Sequence, residues 1–378
     1  MKSDPKAGGV HPAERPGDGL DVAIDMSPMI SGTTGVARFA SALTGALEAA
    51  GVRLRKFALG RGVVPAPPDV RHVRIPLRVL RPVWRLTGYP KAETIAGGGL
   101  LHHALDLEPM PSRLPVVVTI HDLGALERPE LHSRYHNALV RHHLAAARRA
   151  DAVLVVSRVV GDQAIAAGCD PETVTVTPLG VTRLPPSRTP PPVHGPYVLT
   201  VGWLAKRKGI DVLVRAMARA RLEGVRAVVA GAPSTGSAEV ASLIQSLDVA
   251  NRVVLLGEVG DEVLSSLYQG AIAMVHPSRI EGFGLTVLEA LACGLPTVTS
   301  DLAALREVAG DAALFVPAGD PDALAAGLER IVTDEALRAT LAARGPSRAA
   351  EFTWVRTAAT TIEGYRRALD RWTARRRG

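Results

Sequence analysis

The sequence predicts an α/β protein that contains two doubly wound parallel sheets. Short runs of Val, Ile and Leu alternate with helix-length stretches along nearly all of the 378 residues. Such alternation, with strands that are almost continuously apolar, is typical of parallel sheets covered by helices on both faces. Residues 184–196, LPPSRTPPPVHGP, are too rich in proline for a central strand or a helix interior. This stretch divides the pattern into two halves, so we expect two domains.

The predicted strands are runs of four or five residues that are rich in β-branched side chains. They are VAIDM (22–26), VVVTI (116–120), AVLVV (152–156), YVLTV (197–201), RAVVA (226–230), RVVLL (252–256), IAMV (272–275), PTVTS (296–300) and ALFV (313–316). Helical patterns such as GVARFASALTGALEAAG and GIDVLVRAMARARLEG lie between many of them. The last residues, FTWVRTAATTIEGYRRALDRWTARRRG, predict a long helix that Thr353 can cap.

The predicted organisation has five parts. They are a flexible tail (1–19), a first Rossmann-like domain (20–183), a proline-rich linker (184–196), a second Rossmann-like domain (197–352) and a C-terminal helix with a basic tail (353–378). No apolar run in the sequence reaches the ~18 residues that span a bilayer, and the first residues do not have the pattern of a signal peptide.

The net charge of +7 predicts anionic partners such as phosphates, nucleotides or an acidic lipid surface. A solvated, arginine-rich face explains the charge equally well. No nucleic-acid partner is expected, because no basic stripe interleaved with aromatic residues is present. The two cysteines, Cys169 and Cys293, are too few for a disulfide framework. We expect a cytoplasmic protein, and leave open a peripheral contact with anionic lipid at the inner membrane face.

Residues 277–296, PSRIEGFGLTVLEALACGLP, combine glycines with two carboxylates. A strand is predicted to end near Pro277, and a helix to begin around Gly284 to Thr286 and end at Cys293, with Gly294 after it. The turn between them therefore lies at the carboxyl end of a parallel strand, where ligands bind in open α/β sheets. Free amides at the start of a helix favour an anion such as phosphate.

Glu281 and Glu289 flank this helix start, and both can face the same crevice. Carboxylates accept hydrogen bonds from sugar hydroxyls. A phosphate with hydroxyl-bearing groups on either side describes a sugar nucleotide. The alternative is a capping turn with two solvated glutamates, since isolated Glu side chains are mostly exposed.

The segment HPSRIEGFGLTVLEALACGLPTVTSDLAALREVAGDAALFVPAGD resembles the donor-site signature of the retaining family-four glycosyltransferases, also described as glycosyl transferases group 1. Weaker similarity extends over roughly residues 20–370, through segments such as VVVTIHDL, TPLGV and YVLTVGWLAKRKGIDVLVRA. The resemblance implies the GT-B fold, in which two Rossmann-like domains face a central cleft. The N-terminal domain would bind the acceptor and the C-terminal domain the nucleotide sugar, and the last helix would return to the N-terminal domain.

The same resemblance implies roles in donor binding. Glu289 would hold the ribose hydroxyls and Glu281 those of the transferred sugar. Backbone amides around Phe283, Gly284 and Leu285 would lie near the sugar or the diphosphate.

Arg207 and Lys208 of GWLAKRKG match the basic pair that neutralises the leaving diphosphate, and Gly202 is placed among the donor contacts. Many relatives carry arginine where this chain has Trp203. Others place an arginine directly before the lysine, as Arg207 stands here, so the resemblance implies that the diphosphate contact is kept.

In the first half, SGTTGVARF resembles the glycine-rich loop after the first strand of the family. Gly35 would approach the donor phosphate or the acceptor, and Arg38 would lie near the cleft. The same pattern is also a good helix start. His121 follows the VVVTI strand, and the resemblance makes it a contact to the donor sugar in the transition state.

Several further histidines invite a metal hypothesis, which we do not favour. They are His102, His103, His132, His136, His142 and His143. They have neither an HExxH pattern nor cysteine support. No metal and no cofactor are predicted, and the nucleotide sugar is a substrate.

The predicted function is retaining transfer of a hexose, from GDP-mannose or a UDP-sugar, to an acceptor hydroxyl. The acceptor would be a saccharide, a lipid-linked sugar or a small molecule, in polysaccharide, glycolipid or glycoconjugate synthesis, and the resemblance is mannosyltransferase-like. Two alternatives stay open, a sugar-nucleotide epimerase of the same fold and a non-catalytic sugar-nucleotide-binding protein. A dehydrogenase is disfavoured because no GxGxxG follows the first strand.

Overall fold

A computed structural model describes residues 15–30, 32, 35–106 and 109–377. It confirms the predicted class, since the described strands form two parallel sheets, of seven and six strands. The first sheet contains β1 (Asp21–Asp25), β2 (Arg53–Leu59), β3 (Arg71–Val73), β4 (Leu101–Ala104), β5 (Val116–Ile120), β6 (Ala152–Val155) and β7 (Val174–Val176). The second contains β8 (Tyr197–Val201), β9 (Arg226–Ala230), β10 (Val253–Gly257), β11 (Ala273–His276), β12 (Thr297–Ser300) and β13 (Leu314–Val316).

Helices connect the strands and cover the sheets. In the first half they are α1 (Gly35–Ala49), α2 (Leu77–Thr87), α3 (Ala92–Ala96), α4 (Gly124–Glu127), α5 (Arg134–Ala147) and α6 (Arg158–Ala166). In the second they are α7 (Ile210–Arg219), α8 (Ser237–Ser246), α9 (Asp261–Gly270), α10 (Leu285–Ala292), α11 (Ala303–Ala309), α12 (Pro321–Thr333), α13 (Glu335–Ala349) and α14 (Trp354–Arg377). None of the described helices has both the length and the apolar character needed to cross a bilayer.

The order of the strands indicates where a ligand-binding crevice lies in each sheet. The orders are β3-β2-β1-β4-β5-β6-β7 and β10-β9-β8-β11-β12-β13. In each sheet the second and third strands in sequence are added on one side of the first strand, and the later strands on its other side. The direction of strand order therefore reverses between β1 and β4 in the first sheet and between β8 and β11 in the second. In open parallel sheets, ligands bind at the carboxyl ends of the strands beside such a reversal.

Sequence reasoning found the apolar strands to within one residue at each end but missed β2, β3, β4 and β7. Strand β2, RLRKFAL, alternates basic with apolar residues, and β3 and β7 are only three residues long. Strand β4, LHHA, has two central histidines, which suggested a site rather than a buried strand. Of the predicted tail, residues 1–14 lie outside the described residues, and the turn that follows is bonded to the domain through Gly17 N and Ala50 O, 2.8 Å apart.

The C-terminal helix α14 packs on the first sheet. Its contacts are with α1, β5, β6 and β7, all in the first half of the chain. Ile362 and Tyr365 are buried in the core that this sheet shares with α1. At the start of α14, Gly180 lies so close that a Cβ there would be 2.4 Å from Trp354 N. The chain therefore passes between the two sheets twice, at residues 184–196 and again just before α14.

Two histidines of β4 are fully buried and neutral. The Nδ1 of His103 lies 2.7 Å from the Tyr365 hydroxyl, and its Nε2 lies 2.8 Å from Thr119 Oγ1. The Nδ1–H of His102 donates to the Ala23 carbonyl over 3.1 Å. Burial lowers the pKa of His102 to about 4 and the pKa of His103 to about 3. These side chains therefore belong to the core of the first domain.

This burial predicts a stability that depends on pH. The unfolded chain binds protons at His102 and His103 near their ordinary pKa of about 6.5, whereas the folded chain does not until far lower pH, so stability falls as pH falls below about 6.5. From pH 7 to pH 5 we expect a loss of about 2 kcal/mol in the free energy of unfolding for each histidine. Urea denaturation at both pH values measures it.

His102→Gln should reduce this pH dependence, whereas His194→Gln, which changes an exposed histidine, should leave it as in the wild type. Equal free energies of unfolding at pH 7 and pH 5 would contradict the prediction.

Candidate functional site

The carboxylate of Glu281 is surrounded by donors. Its Oε1 accepts hydrogen bonds from Lys208 Nζ at 2.5 Å, Ser278 Oγ at 2.7 Å and His276 Nε2 at 2.9 Å. Its Oε2 lies 3.9 Å from the Arg207 guanidinium. The Glu281 side chain is only 8% exposed. The structure thus brings three of the predicted catalytic residues, Arg207, Lys208 and Glu281, into one cluster around a buried carboxylate.

The loop after β8 and the loop after β11 supply this cluster, and hydrogen bonds hold the two loops together. Strands β8 and β11 are neighbours, so the loops at their carboxyl ends meet. The Arg279 amide donates to the Arg207 carbonyl at 2.8 Å, and the Arg279 guanidinium binds both carboxylate oxygens of Asp211. Gly209 has φ of 65°, and a Cβ there would lie 2.0 Å from the Pro277 carbonyl oxygen. Only glycine fits such a close approach.

Charge balance sets the protonation of this cluster. Burial alone would raise the pKa of Glu281, but Lys208, His276 and Arg207 outweigh burial and hold that pKa well below its usual range. Burial lowers the pKa of Lys208, and Glu281 opposes this effect. Burial also lowers the pKa of His276. The cluster therefore places one carboxylate beside two basic side chains, Lys208 and Arg207.

Glu289 is 5% exposed and lies where the two domains meet. Its Oε1 accepts from the Arg38 guanidinium at 3.1 Å, and its Oε2 accepts from the Tyr268 hydroxyl at 3.2 Å. Arg38 belongs to α1 of the first domain, and its other terminal nitrogen is 2.5 Å from Asp261 at the start of α9. Burial raises the pKa of Glu289, although Arg38 and Tyr268 oppose the shift. Hydroxyl donors from a ligand would stabilise this carboxylate.

The start of α10 lies beside Glu281. Gly284 precedes the helix with φ of 104° and ψ of 47°, and no described side chain caps it. The amides of the first turn are thus available to a phosphate. Phe283 points away from this crevice, since its ring packs edge-on against Phe352 at 5.9 Å. Only the backbone of Phe283 can serve a ligand, and Leu285 is half-buried against the core.

On one side of the cleft, the backbones of the two domains are in direct contact. Ser157 Oγ donates to the Gly282 carbonyl at 2.7 Å. A Cβ on Gly282 would lie 2.0 Å from the His121 carbonyl oxygen, and one on Gly124 would lie 2.7 Å from Ile280 Cδ1. The turn that contains Glu281 is therefore seated directly on the loop that contains His121.

The His121 ring is held in a fixed orientation. Its Nε2–H donates to the Leu105 carbonyl at 2.9 Å, and Phe39 contacts the ring edge-on at 4.6 Å. Burial lowers the pKa of His121, against the opposing effect of Asp106. The ring is therefore neutral at pH 7, and its Nδ1 is a hydrogen-bond acceptor.

The remaining predicted site residues line the same region. Gly202 follows β8 with φ of 145°, and its carbonyl oxygen would be 1.9 Å from a Cβ on Gly231. Trp203 is 46% exposed. Gly35 begins α1 with open space where a side chain would be. Ser31, Thr33 and Thr34, which precede it in the SGTTG loop, lie outside the described residues.

Metal ligands do not cluster in the described ranges. No group of three or more His, Cys, Asp or Glu side chains there could hold an ion. The rings of His132 and His136 stack at 4.9 Å, which is a ring contact and not a chelating arrangement.

Sequence reasoning missed four side chains that complete the site. His276 and Ser278 stand inside the quoted HPSRIEGFG motif, so their closeness to Glu281 in sequence was a usable signal. Tyr268 and Asp261 gave no such signal, because only the packing of α9 brings them to Glu289 and Arg38.

Comparison with known proteins agrees with this architecture. Residues 186–348 match the protein family described as Glycosyl transferases group 1, and residues 33–183 match the family described as Glycosyltransferase Family 4. Two parallel-sheet domains that meet at a cleft of carboxylates and cations place the chain in the class of GT-B glycosyltransferases. Within that class, the chain belongs to glycosyltransferase family four.

Relatives with curated names include two kinds of glycosyltransferase. A D-inositol 3-phosphate glycosyltransferase of Kineococcus radiotolerans is 32% identical over 292 residues, which are 64% of this chain and 67% of the relative. The O-antigen chain mannosyltransferase B of Escherichia coli is 42% identical over 111 residues, 29% of each chain.

Two solved structures share the fold over nearly the whole chain. Sucrose-phosphate synthase from Thermosynechococcus elongatus has a TM-score of 0.71 at 24% identity, and the match covers 93% of this chain and 96% of the synthase. An Anabaena protein solved with UDP and glucose has a TM-score of 0.72 at 20% identity, and the match covers 91% of this chain and 98% of the Anabaena protein. At these identities the likeness concerns the fold alone.

Proposed function

We propose that this protein transfers a hexose from a nucleotide-diphosphate sugar to an acceptor hydroxyl with retention of configuration. One observation carries the proposal. Arg207 and Lys208 from one loop converge on Glu281 from another, beside the open start of α10. A buried carboxylate with two cations and free amides matches a sugar linked to a diphosphate, because each part of that ligand meets a complementary group.

The donor would lie along the second domain. The ribose hydroxyls would donate to Glu289, which is buried and accepts long bonds from Arg38 and Tyr268. The diphosphate would lie between the α10 amides and the pair Arg207 and Lys208. Glu281 would then accept hydrogen bonds from hydroxyls of the transferred sugar, and Gly202 would let the donor approach the backbone. A ribose bound at Glu289 would take the place of the Arg38 guanidinium, because its hydroxyls would donate to the same carboxylate. Donor binding and this interdomain ion pair therefore compete.

The transfer needs no protein nucleophile. The bond between the sugar C1 and the diphosphate oxygen breaks, and a bond between C1 and the acceptor oxygen forms on the same face. The proton of the acceptor hydroxyl passes to the departing phosphate oxygen. Lys208 and Arg207 stabilise the negative charge that develops on the diphosphate. His121, neutral and fixed by Leu105, would accept a hydrogen bond from a hydroxyl of the sugar as C1 becomes electron-poor.

The base of the donor and the acceptor are proposed only by class. A relative is named as a mannosyltransferase, and one structural neighbour was solved with UDP and glucose. We therefore take GDP-mannose and UDP-sugars as the donors to test, and a saccharide, lipid-linked or small-molecule hydroxyl as the acceptor.

The donor site is tested by thermal shift with a panel of nucleoside diphosphates and nucleotide sugars. We expect one nucleotide family to stabilise the wild type, and Glu289→Ala to weaken that stabilisation at least tenfold in apparent affinity, since a buried carboxylate that accepts two hydroxyls is lost. Arg38→Gln breaks the same interdomain ion pair and should retain the stabilisation.

An equal loss in Glu289→Ala and Arg38→Gln would mean that the ion pair matters and the ribose contact does not exist. Stabilisation by none of the nucleotides would refute the donor site itself.

A further inference from the structure

Helix α2 differs from the other helices in what it exposes. Leu80 is buried, and Leu77 and Trp84 pack beside it in the small core cluster under β2. Val79 and Leu86, which recur at helical spacing on another side, are 51% and 86% exposed. Val83, Ile75 and Tyr89 continue this apolar surface, and each is more than a third exposed.

A third side of α2 is basic. Arg78, Arg81 and Arg85 follow one another at helical spacing. From Val70 to Ala92 the chain carries five arginines and one lysine, and it contains no aspartate or glutamate. Within the described ranges, no carboxylate pairs with Arg78 or Arg85. The exposed surface of α2 is therefore a stripe of aliphatic residues flanked by cations.

We propose that α2 docks the protein on an anionic lipid bilayer. A helix with exposed aliphatic residues beside arginines lies in the bilayer interface, with its apolar side chains among the acyl chains and its cations at the headgroups. Charge complementarity identifies the occupant, because an unbroken positive charge over these residues favours a negative surface. A nucleic acid would meet the charge but would leave Val79 and Leu86 without an apolar contact.

The basic end of the chain reaches the same side of the first domain. Arg375 forms an ion pair with Asp151, which follows Ala150 at the start of β6. Ala150 and Arg149 line an open cavity of about 490 Å³ that Arg81 and Trp84 also line. Docking through α2 thus brings this part of the domain close to the membrane.

Two neighbouring cavities lie between the docking surface and the loop that holds His121. The cavity of about 490 Å³ adjoins a second one of about 240 Å³, and Arg81, Trp84 and His143 line both. The inner cavity extends to Leu105, whose carbonyl holds His121. This step rests on the proposed function: an acceptor hydroxyl on a membrane-anchored lipid would approach His121 from the bilayer along these two cavities.

Co-sedimentation of the full chain with vesicles tests the docking without any donor. We expect the wild type to pellet with vesicles of phosphatidylcholine mixed with phosphatidylglycerol, to stay in solution with phosphatidylcholine alone, and to release as salt rises. The variant Val79→Glu with Leu86→Glu should lower the bound fraction at least tenfold. Arg78→Glu with Arg85→Glu should do the same.

Matched controls change exposed residues on elements other than α2. Val355→Glu replaces a valine that is 78% exposed on α14, and Arg221→Glu replaces an exposed arginine of the second domain. Both should bind vesicles like the wild type. The α2 variants should keep the thermal stabilisation by nucleotide, so a failed donor site and a failed docking surface are told apart.

Three results would overturn the docking proposal. The wild type could stay in solution with anionic vesicles, or the α2 variants could bind like the controls. Self-association of the wild type that the α2 substitutions abolish, without vesicle binding, would instead make this face an interface between copies of the chain.

Discussion

Lys208→Ala is expected to reduce kcat by about 10²- to 10³-fold, the usual effect of removing one group that stabilises charge in a transition state. The Lys208 side chain lies 2.5 Å from Glu281, and in the proposed donor site Lys208 and Arg207 would be the cations that the loop after β8 presents to the leaving diphosphate. Because the charge on the diphosphate grows as the bond to C1 breaks, the loss should appear in kcat more than in donor affinity. Steady-state kinetics with the donor found by thermal shift measures both.

The neighbouring residue provides the control. Lys206 belongs to the same three-residue turn but is exposed, so Lys206→Ala should keep kcat within about twofold of the wild type. Arg207→Ala should show a loss of the same kind as Lys208→Ala. Full turnover in both Arg207→Ala and Lys208→Ala would place the diphosphate contact elsewhere.

Gly282→Ala should lower kcat by about 10²-fold, while the donor binds almost as before. The added methyl group would lie 2.0 Å from the His121 carbonyl oxygen, so the two loops must move apart. In the proposed mechanism His121 contacts the donor sugar, so this movement would displace it, and a displacement of about 1 Å can cost 10²-fold in rate. Donor affinity should change less than kcat, because the proposed contacts of the ribose with Glu289 and of the diphosphate with Lys208 lie outside this turn.

Gly45→Ala is the matched control, because a Cβ at this helix position meets nothing within 4 Å. It should change neither kcat nor donor affinity. A Gly282→Ala variant with wild-type kcat would show that the close contact between the loops is not required for turnover.

Much of the fold follows from local chemistry in the sequence. The apolar strands of the second sheet could be located because β-branched runs stand between helical patterns with glycine breaks. The start of α10 was predicted at Gly284 to Thr286 and lies at Leu285, since a glycine in the left-handed region ends one element and begins the next. Strands β2 and β4 were missed because basic residues and histidines interrupt their apolar pattern.

Some residues of the candidate site could likewise be predicted from the sequence, and others could not. Glu281, Lys208 and Arg207 could be named because each stands in a motif, and the neighbouring β8 and β11 bring the motifs together. The contact between Arg38 and Glu289 could not be predicted, since it joins residues 251 positions apart and depends on how far the two domains close. Tyr268 likewise became visible only through the packing of α9.

The position of α14 has a consequence for engineering. This helix follows the second domain in the chain but covers the sheet of the first, so the first domain is built from two separate stretches of chain and the second from one. A chimera that exchanges the second domain should therefore replace residues 197–352 as one piece and keep both flanking segments from one parent. A simple crossover at the linker would pair α14 of one parent with the sheet of the other, and Tyr365 would lose its native partner His103 wherever the parents differ there.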